Sequence, residues 1–333
     1  MQEQFIKYLK AKSRNNTSFI EEVAFVLDMG YDAAYRRVNL KTSLSLEESI
    51  KLAKHYNVSL NKLYEVGNKN SIVVDLSPPF HNIEGLELYF RQSHKNIEPL
   101  VKLKSASISY SAKDIPFFHT LKDTYLTHYK IYVWLKDVDT EMARSKITFK
   151  EFRKQIPDSL LDIVYTLGDV YNYISITELW NDYTIIGTLQ QVLYYYESRL
   201  LDKESALLIC NDIEKVINQT ETQTIKQSLI GANNNGATYN LYKTDLHTLN
   251  NTIMVQTAQQ RIFFQPFTVL TYFKIEHKAT CDLMYDFFEK QKMNSKLLVN
   301  SGEKDRTLFF HKMHQKINKL RMQIEVDEPF VFE

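Results

Sequence analysis

Cysteine is nearly absent from the 333 residues: Cys210 and Cys281 are the only two, and they form no CxxC pair. Two isolated thiols exclude a disulfide framework and suit a reducing compartment. Long apolar runs are missing as well, each being broken by charges or amides well before the roughly 18 residues of a membrane helix. The opening MQEQFIKYLKAKSRNN is basic but holds no apolar run and no cleavage site, so no secretory leader is expected. A cytoplasmic protein without membrane contact is the expectation. Charge of one sign is lacking too, since 41 Lys/Arg face 40 Asp/Glu. That excludes a chain that is basic throughout.

Catalytic signatures are equally scarce. There is no Walker sequence, and the GANNNG stretch at 231–236 lacks the strand–GxGxxG–helix setting of a phosphate cradle. Ser301, Gly302, Glu303 and Lys304 satisfy S-x-x-K, but no K-T-G or S-D-N accompanies them, and the serine falls where a helix cap is expected. His311 and His314 stand three apart on a helix with no third ligand at a defined spacing, so they read as solvated or partly packed. Cys210 sits in a helix stripe as a small core residue. No metal, no cofactor and no enzymatic activity are expected, and no internal repeat is visible.

What the chain does have is aromatic mass, 21 Tyr and 19 Phe, which calls for a substantial core or a lined pocket. Tyr194, Tyr195 and Tyr196 point around a helix, so core filling is the first reading and pocket lining the second. Pro116 to His119 reads as a buried turn first and a ligand contact second. The length suits two domains of unequal size. Residues 1–69 carry 11 Lys/Arg against 8 Asp/Glu, and the remainder 30 against 32. A mildly basic head on a slightly acidic body suits a DNA reader with a separate second domain.

The head reads as a set of short helices. Phe5, Ile6 and Leu9 share one side of a helix over 3–12. Ser18 and Glu21 have capping-box spacing before a stripe of Phe19, Val23, Val26 and Leu27. Gly30 is expected to end that helix in the left-handed conformation. A second helix starts at once at Tyr31, with Asp32 in its first turn. Its inner face is Ala34 and Val38; Tyr31, Asp32, Tyr35 and Arg36 are left on the outer side. Ser45 and Glu48 cap a further helix, for which Leu46, Ile50, Leu52 and Ala53 are expected to supply the core face. Asn57 to Ser59 break it, and Leu60, Leu63 and Tyr64 close a last short helix. Two short helices joined by a tight turn, the second small inside and polar-aromatic outside, is the helix-turn-helix plan.

Residues 19–64 resemble, without gaps, the helix-turn-helix domain of the Cro/C1-type (XRE-like) transcriptional regulators. SLEESIKLAKHYNVSLNKLY is similar to that family's last two helices, and AAYRRV to the recognition helix of a bacterial subgroup with a long C-terminal region. The resemblance covers about a fifth of the chain. It departs in two places: Phe19 and Ile20 stand where the family often has a phosphate-touching Gln, and Leu40 where it often has Gly. The phosphate grip on that side is therefore assigned to Thr17, Ser18 and Lys41. Arg36 is the best base or phosphate contact, because its planar fork can take a guanine edge or a phosphate bidentately. Arg37 lies nearer the buried side, with the backbone or an acidic neighbour in reach. Tyr35 suits a sugar or a thymine methyl, or half-packing in the domain.

Residues 66–80, with Gly67 and Pro78-Pro79, read as a linker carrying a short strand at 72–74. A helix over 82–103 is expected to run between the domains. Residues 105–112 alternate as a strand, 124–138 read as helical, and 148–230 as successive amphipathic helices with caps at Thr148/Glu151 and Asp158. After the 231–236 loop, two to four antiparallel strands are expected, then helices over 279–293 and 303–322. YSAKDIPFFH and SGEKDRTLFF loosely resemble the C-terminal regions of the same subgroup, which implies a sensory or assembly role. The fold class is thus α+β, with a helix-turn-helix domain at 1–68, a linker at 69–81 and a larger helix-rich domain with a late antiparallel sheet at 82–333.

Together these readings give a DNA-binding transcriptional regulator whose partners are double-stranded DNA, a second copy as a homodimer, and a small-molecule or peptide effector. Two alternatives stay open. One makes the body a protein-interaction platform without ligand; the other, less favoured, is an enzyme fused to a DNA-binding head.

Overall fold

Three of the first helices end in the same hydrogen-bonded pattern, and none of them uses glycine for it. In a computed structural model that describes residues 1–13, 18–64, 71–229, 236–245, 249–299 and 303–326, the chain divides into two compact units, 1–73 and 74–333. The first unit holds α1 (Gln2–Lys12), α2 (Phe19–Leu27), α3 (Tyr31–Val38), α4 (Leu46–His55) and α5 (Leu60–Tyr64). Asp28, Leu40 and Asn57, just beyond α2, α3 and α4, all take positive φ. After α3, Leu40 N–H donates to Arg37 O and Lys41 N–H to Arg36 O, the paired bonds of a Schellman end. The same pairs run from Asp28 to Phe25 and Met29 to Ala24, and from Asn57 to Lys54 and Val58 to Ala53.

Gly30 therefore does not do what its position suggests. Its φ is −66°, and it stands at the N-cap of α3 while Asp28 takes the left-handed turn. Capping boxes open α2 at Ser18/Glu21 and α4 at Ser45/Glu48. The core of the unit gathers Phe5, Leu9, Val23, Leu27, Ala34 and Leu52 with Ala53 and Tyr56. Leu46 and Ile50, expected in that core, lie outside it, with Leu46 75% exposed. Counted at about 100° per residue from Leu46, the inward stripe of α4 runs through Leu52, Tyr56 and Ala53 at roughly 240°, 280° and 340°, so Leu46 and Ile50, at roughly 0° and 40°, fall just past its edge.

The second unit is built on one eight-stranded sheet. Its strands are β1 (Asp75–Leu76), β2 (Ser107–Ser111), β3 (Ser175–Trp180), β4 (Tyr239–Lys243), β5 (Thr252–Gln256), β6 (Arg261–Thr268), β7 (Thr271–Ile275) and β8 (Lys296–Leu298). They lie in the order β1-β7-β6-β5-β2-β3-β4-β8. The fold class is α+β, but the sheet is mixed: β5, β6 and β7 form an antiparallel meander, whereas β2, β3 and β4 run parallel. Parallel neighbours require crossovers. Between β2 and β3 pass α7 (Tyr125–Val138), α8 (Thr140–Arg144), α9 (Phe149–Arg153) and α10 (Asp158–Tyr171); between β3 and β4 pass α11 (Ile186–Glu197) and α12 (Lys203–Lys226).

Alternate strand residues face two different cores, as a period of two demands. Val255 of β5 joins the large helical core with Tyr129, Tyr132, Val164 and Ile213, while Met254 faces the smaller core with Phe263, Cys281 and Phe288. The smaller core is covered by α13 (Lys278–Met293); the large one includes α14 (Glu303–Val326). From Val74 onward, the stretch read as linker and interdomain helix also belongs to this unit. Asp75 and Leu76 pair with Lys274 and Phe273, Phe80 is buried, and α6 (Ile83–Ile97) buries Leu86 and Phe90 completely. Thr148/Glu151 caps α9 as expected, whereas Asp158 is the first residue of α10 behind Pro157. Positions 231–235 and the expected cap Ser301 with Gly302 lie outside the described residues.

Candidate nucleic-acid interface

The α3 helix is eight residues long and sits on α2 by its smallest side: Ala34 is fully buried and Val38 packs against the core. That contact turns Tyr31, Asp32, Tyr35 and Arg36 outward together, with Tyr31 49% and Tyr35 39% exposed. The four side chains make one surface of two phenols, a carboxylate and a guanidinium. The Arg36 guanidinium has no hydrogen-bond or ion-pair partner among the described residues.

Its neighbour is spent inside the unit. Arg37 Nε lies 3.0 and 2.9 Å from the two carboxylate oxygens of Glu48, its Nη2 is 2.7 Å from Oε1, and Nη1 donates to Ala33 O at 3.3 Å. Glu48 Oε2 also accepts from Ser45 N–H at 2.9 Å, closing the capping box of α4. One carboxylate thus caps α4 and locks α3 against it. The Arg37 hydrogen bonds hold the Glu48 carboxyl below its ordinary value, and Glu48 in return raises Arg37. Arg37 is a positioning residue here, the acidic-neighbour alternative for it, and its guanidinium is turned away from any ligand of the outer face.

Lys41 follows in the turn, exposed, with Nζ 5.3 Å from the centre of the Tyr35 ring. Its cation therefore adjoins the α3 surface. Ser18 is exposed at the start of α2, where its N–H donates to Glu21 Oε2 at 3.3 Å in the capping box. Thr17 lies outside the described residues. Phe19 and Ile20 pack against the core rather than facing out, consistent with their standing in place of a polar phosphate contact.

Two supporting residues escaped sequence reasoning. Gln2 Nε2 donates to Arg37 O and Thr42 O, both at 3.0 Å, and its Oε1 accepts from Leu44 N–H at 3.0 Å. It pins the segment leaving α3, and nothing in the spacing of a lone amide on α1 signals it. The capping spacing does reveal Glu48, but not its second duty to Arg37.

An exposed helix face of this size can enter a major groove, where Arg pairs with guanine O6 and N7 and a carboxylate accepts from cytosine N4. A carboxylate such as Asp32 is unfavourable next to a phosphate and chemically suits a base amino group, whereas Lys41, Ser18 and the tyrosine hydroxyls carry the donors that a phosphate accepts from.

In the second unit two polar clusters are largely interior. His119 Nε2 lies 2.8 Å from Glu178 Oε1, and Tyr239 Oη donates to Glu178 Oε2 at 2.9 Å, with the glutamate fully buried. Lys130 Nζ reaches Thr188 at 2.6 Å and Asp114 at 3.3 Å. The first cluster ties strands β3 and β4 to the turn at Phe117–Thr120, the second ties α7 to α11, and of these side chains Asp114 alone is partly exposed. His314 lies 3.5 Å from Glu214, and among the described residues no three His, Cys, Asp or Glu are grouped to hold a metal. Both cysteines are buried free thiols, with burial pushing Cys210 up to about 11. Tyr195 is core, Tyr194 is exposed, and Phe117 and Phe118 line a cavity. Among the described residues no helix is long and apolar enough to cross a membrane. No family model, curated protein or solved structure matches the chain, so its function has to be argued from these residues.

Proposed function

We propose that the chain is a sequence-specific binder of double-stranded DNA that acts as a transcriptional regulator, with α3 as its reading helix. The observation that carries this is the division of labour between adjacent arginines. Arg37 is clamped to Glu48, while Arg36 stands outward and unpaired among the described residues, in line with Tyr31, Asp32 and Tyr35. Packing alone asks for no arginine at the outer position. The resemblance of residues 19–64 to the XRE-like domain supports the same reading.

One helix of this length offers few base contacts, so useful affinity requires two heads on half-sites about 34 Å apart or a multiple of that. A homodimer on a palindromic operator is the working form of the proposal. Its compartment is the cytoplasm, where two unpaired thiols persist. The test is selection of a bound sequence from a random duplex pool, followed by gel shifts at fixed salt. Arg36→Ala should weaken binding to the selected site by about 1–3 kcal/mol, with little change on unrelated duplex. Failure to enrich any sequence, or unchanged affinity in Arg36→Ala, defeats the assignment.

A further inference from the structure

The second unit contains a cavity of about 350 Å³ between α6 and the sheet. Its two walls do not match. The sheet wall is large and apolar or aromatic: Ile108 and Tyr110 of β2, Ile253 and Val255 of β5, Phe264 of β6 and Tyr272 of β7. The helix wall is Gly85, Leu88, Tyr89, Gln92, Ser93 and Asn96. These positions recur at i, i+3, i+4, i+7, i+8 and i+11, one continuous stripe of the helix. A second stripe, with Leu86 and Phe90, is fully buried and anchors α6 to the core. The helix is therefore held firmly by one face, and presents glycine, serine and amides to an apolar sheet with the other.

The far end is closed by aromatic rings. Phe118 stacks on Tyr171 with ring centres 5.2 Å apart at 26°, and Phe117 meets Tyr171 edge-on at 5.8 Å and 88°. Inside, the Tyr110 phenol lies beside that of Tyr272, and the Tyr89 phenol beside the Ser93 hydroxyl. Burial keeps these phenols un-ionised, with Tyr272 raised to about 12 and Tyr89 and Tyr110 also raised. No Lys, Arg, His, Asp or Glu lines the space. An ion taken into it would lose its hydration and gain no counter-charge. At the mouth stand the exposed amides Gln92 and Asn96, where Gln92 Nε2 donates to Asn96 Oδ1 at 2.9 Å and leaves the Gln92 oxygen and the Asn96 NH2 for a ligand, beside Leu88, which is 67% exposed.

We infer that this cavity is a binding site for an uncharged, flat aromatic small molecule of about two or three rings, its rings against the sheet and one polar end at Gln92 and Asn96. The aromatic sheet wall and the rings of Phe117, Phe118 and Tyr171 favour a flat aromatic body, and the lining excludes charge. The inference concerns residues 74–333 alone and does not depend on the DNA-binding reading.

The full chain is titrated with N-phenyl-1-naphthylamine, a neutral fluorescent probe of this shape, and with its anionic relative 8-anilinonaphthalene-1-sulfonate. The neutral probe should brighten saturably at one per chain and bind at least tenfold tighter than the sulfonate. Ser93→Phe fills the cavity from the helix side and Val255→Phe from the sheet side; each should cost at least tenfold in affinity with cooperative melting retained. Leu88→Trp, at an exposed position where folding is not at stake, should add energy transfer to the bound probe. The site is refuted by absent saturable binding to the folded chain, by equal binding of the two probes, or by no added transfer in Leu88→Trp. Undiminished binding in either filling variant that folds refutes it as well.

Discussion

Arg37 and Glu48 hold α3 through a bidentate pair that is only about one-fifth exposed on either side. Hydrogen bonds to charged groups contribute about 1.5–3 kcal/mol, and Glu48→Gln keeps part of them. That variant should lower the stability of the first unit by about 1–2 kcal/mol, read as a loss in its chemical denaturation midpoint. The pH dependence has a definite sign. The folded Glu48 carboxyl lies below its unfolded value, so the pair's contribution is complete above the ordinary glutamate range and is lost as pH falls through the lowered value. Glu48→Gln should flatten that acid limb. Leu40 carries the opposite lesson. It holds φ 61° at the Schellman end of α3, where a β-carbon costs about 1–2 kcal/mol and glycine costs less. Leu40→Gly should therefore raise stability by up to about 1 kcal/mol, the entropy of the freer unfolded glycine offsetting the rest. A thermal melt showing a clear loss would contradict this.

Elements of the second unit meet closely where glycine allows it. A β-carbon on Gly168 of α10 would lie 2.1 Å from Leu121 O and 2.9 Å from Leu121 Cβ, so the helix and the turn after Phe117–Thr120 touch through backbone. Gly168→Ala should cost about 3 kcal/mol, measurable as a lowered melting temperature of the full chain. Legibility differs between elements for physical reasons. The helices of the first unit could be read because each has one buried stripe and a local cap, as Ser18/Glu21 and Ser45/Glu48 show. The strands β4 to β7 were visible as alternating β-rich runs. By contrast β3 was not: Ser175–Trp180 is a central strand buried on both faces, and its fully buried Glu178 looks like the polar face of a helix. Only the contacts to His119 and Tyr239 explain that charge. The outward face of α3 was legible from Ala34 and Val38, whereas Gln2, more than 30 positions away, was not. Leu46 and Ile50 misled because a hydrophobic residue on a short helix does not declare which flank it occupies.

At the scale of the molecule, the two units enclose separate cores, one around Leu9, Val23 and Leu52 and the others around the sheet. Residues 1–73 expressed alone should give a helical circular dichroism spectrum and a cooperative melt, with reduced stability expected of so small a core. A fragment without a cooperative transition would show that the division into units is not one of folding. The sheet has a different character. β1 pairs only with β7, and β2 takes β5 as its antiparallel neighbour, so the first strands made are completed by some of the last. At about 5–20 residues per second of synthesis, β1 waits on the order of ten to forty seconds for its partner. The first unit, whose helix ends and caps are local, can be finished on the ribosome in that interval. The β2 edge and its apolar residues Ile108 and Tyr110 meanwhile have no antiparallel neighbour. The nascent chain thus passes through a stage in which the first unit is complete and the second is open, and chaperone demand during biosynthesis should concentrate on residues 74–275.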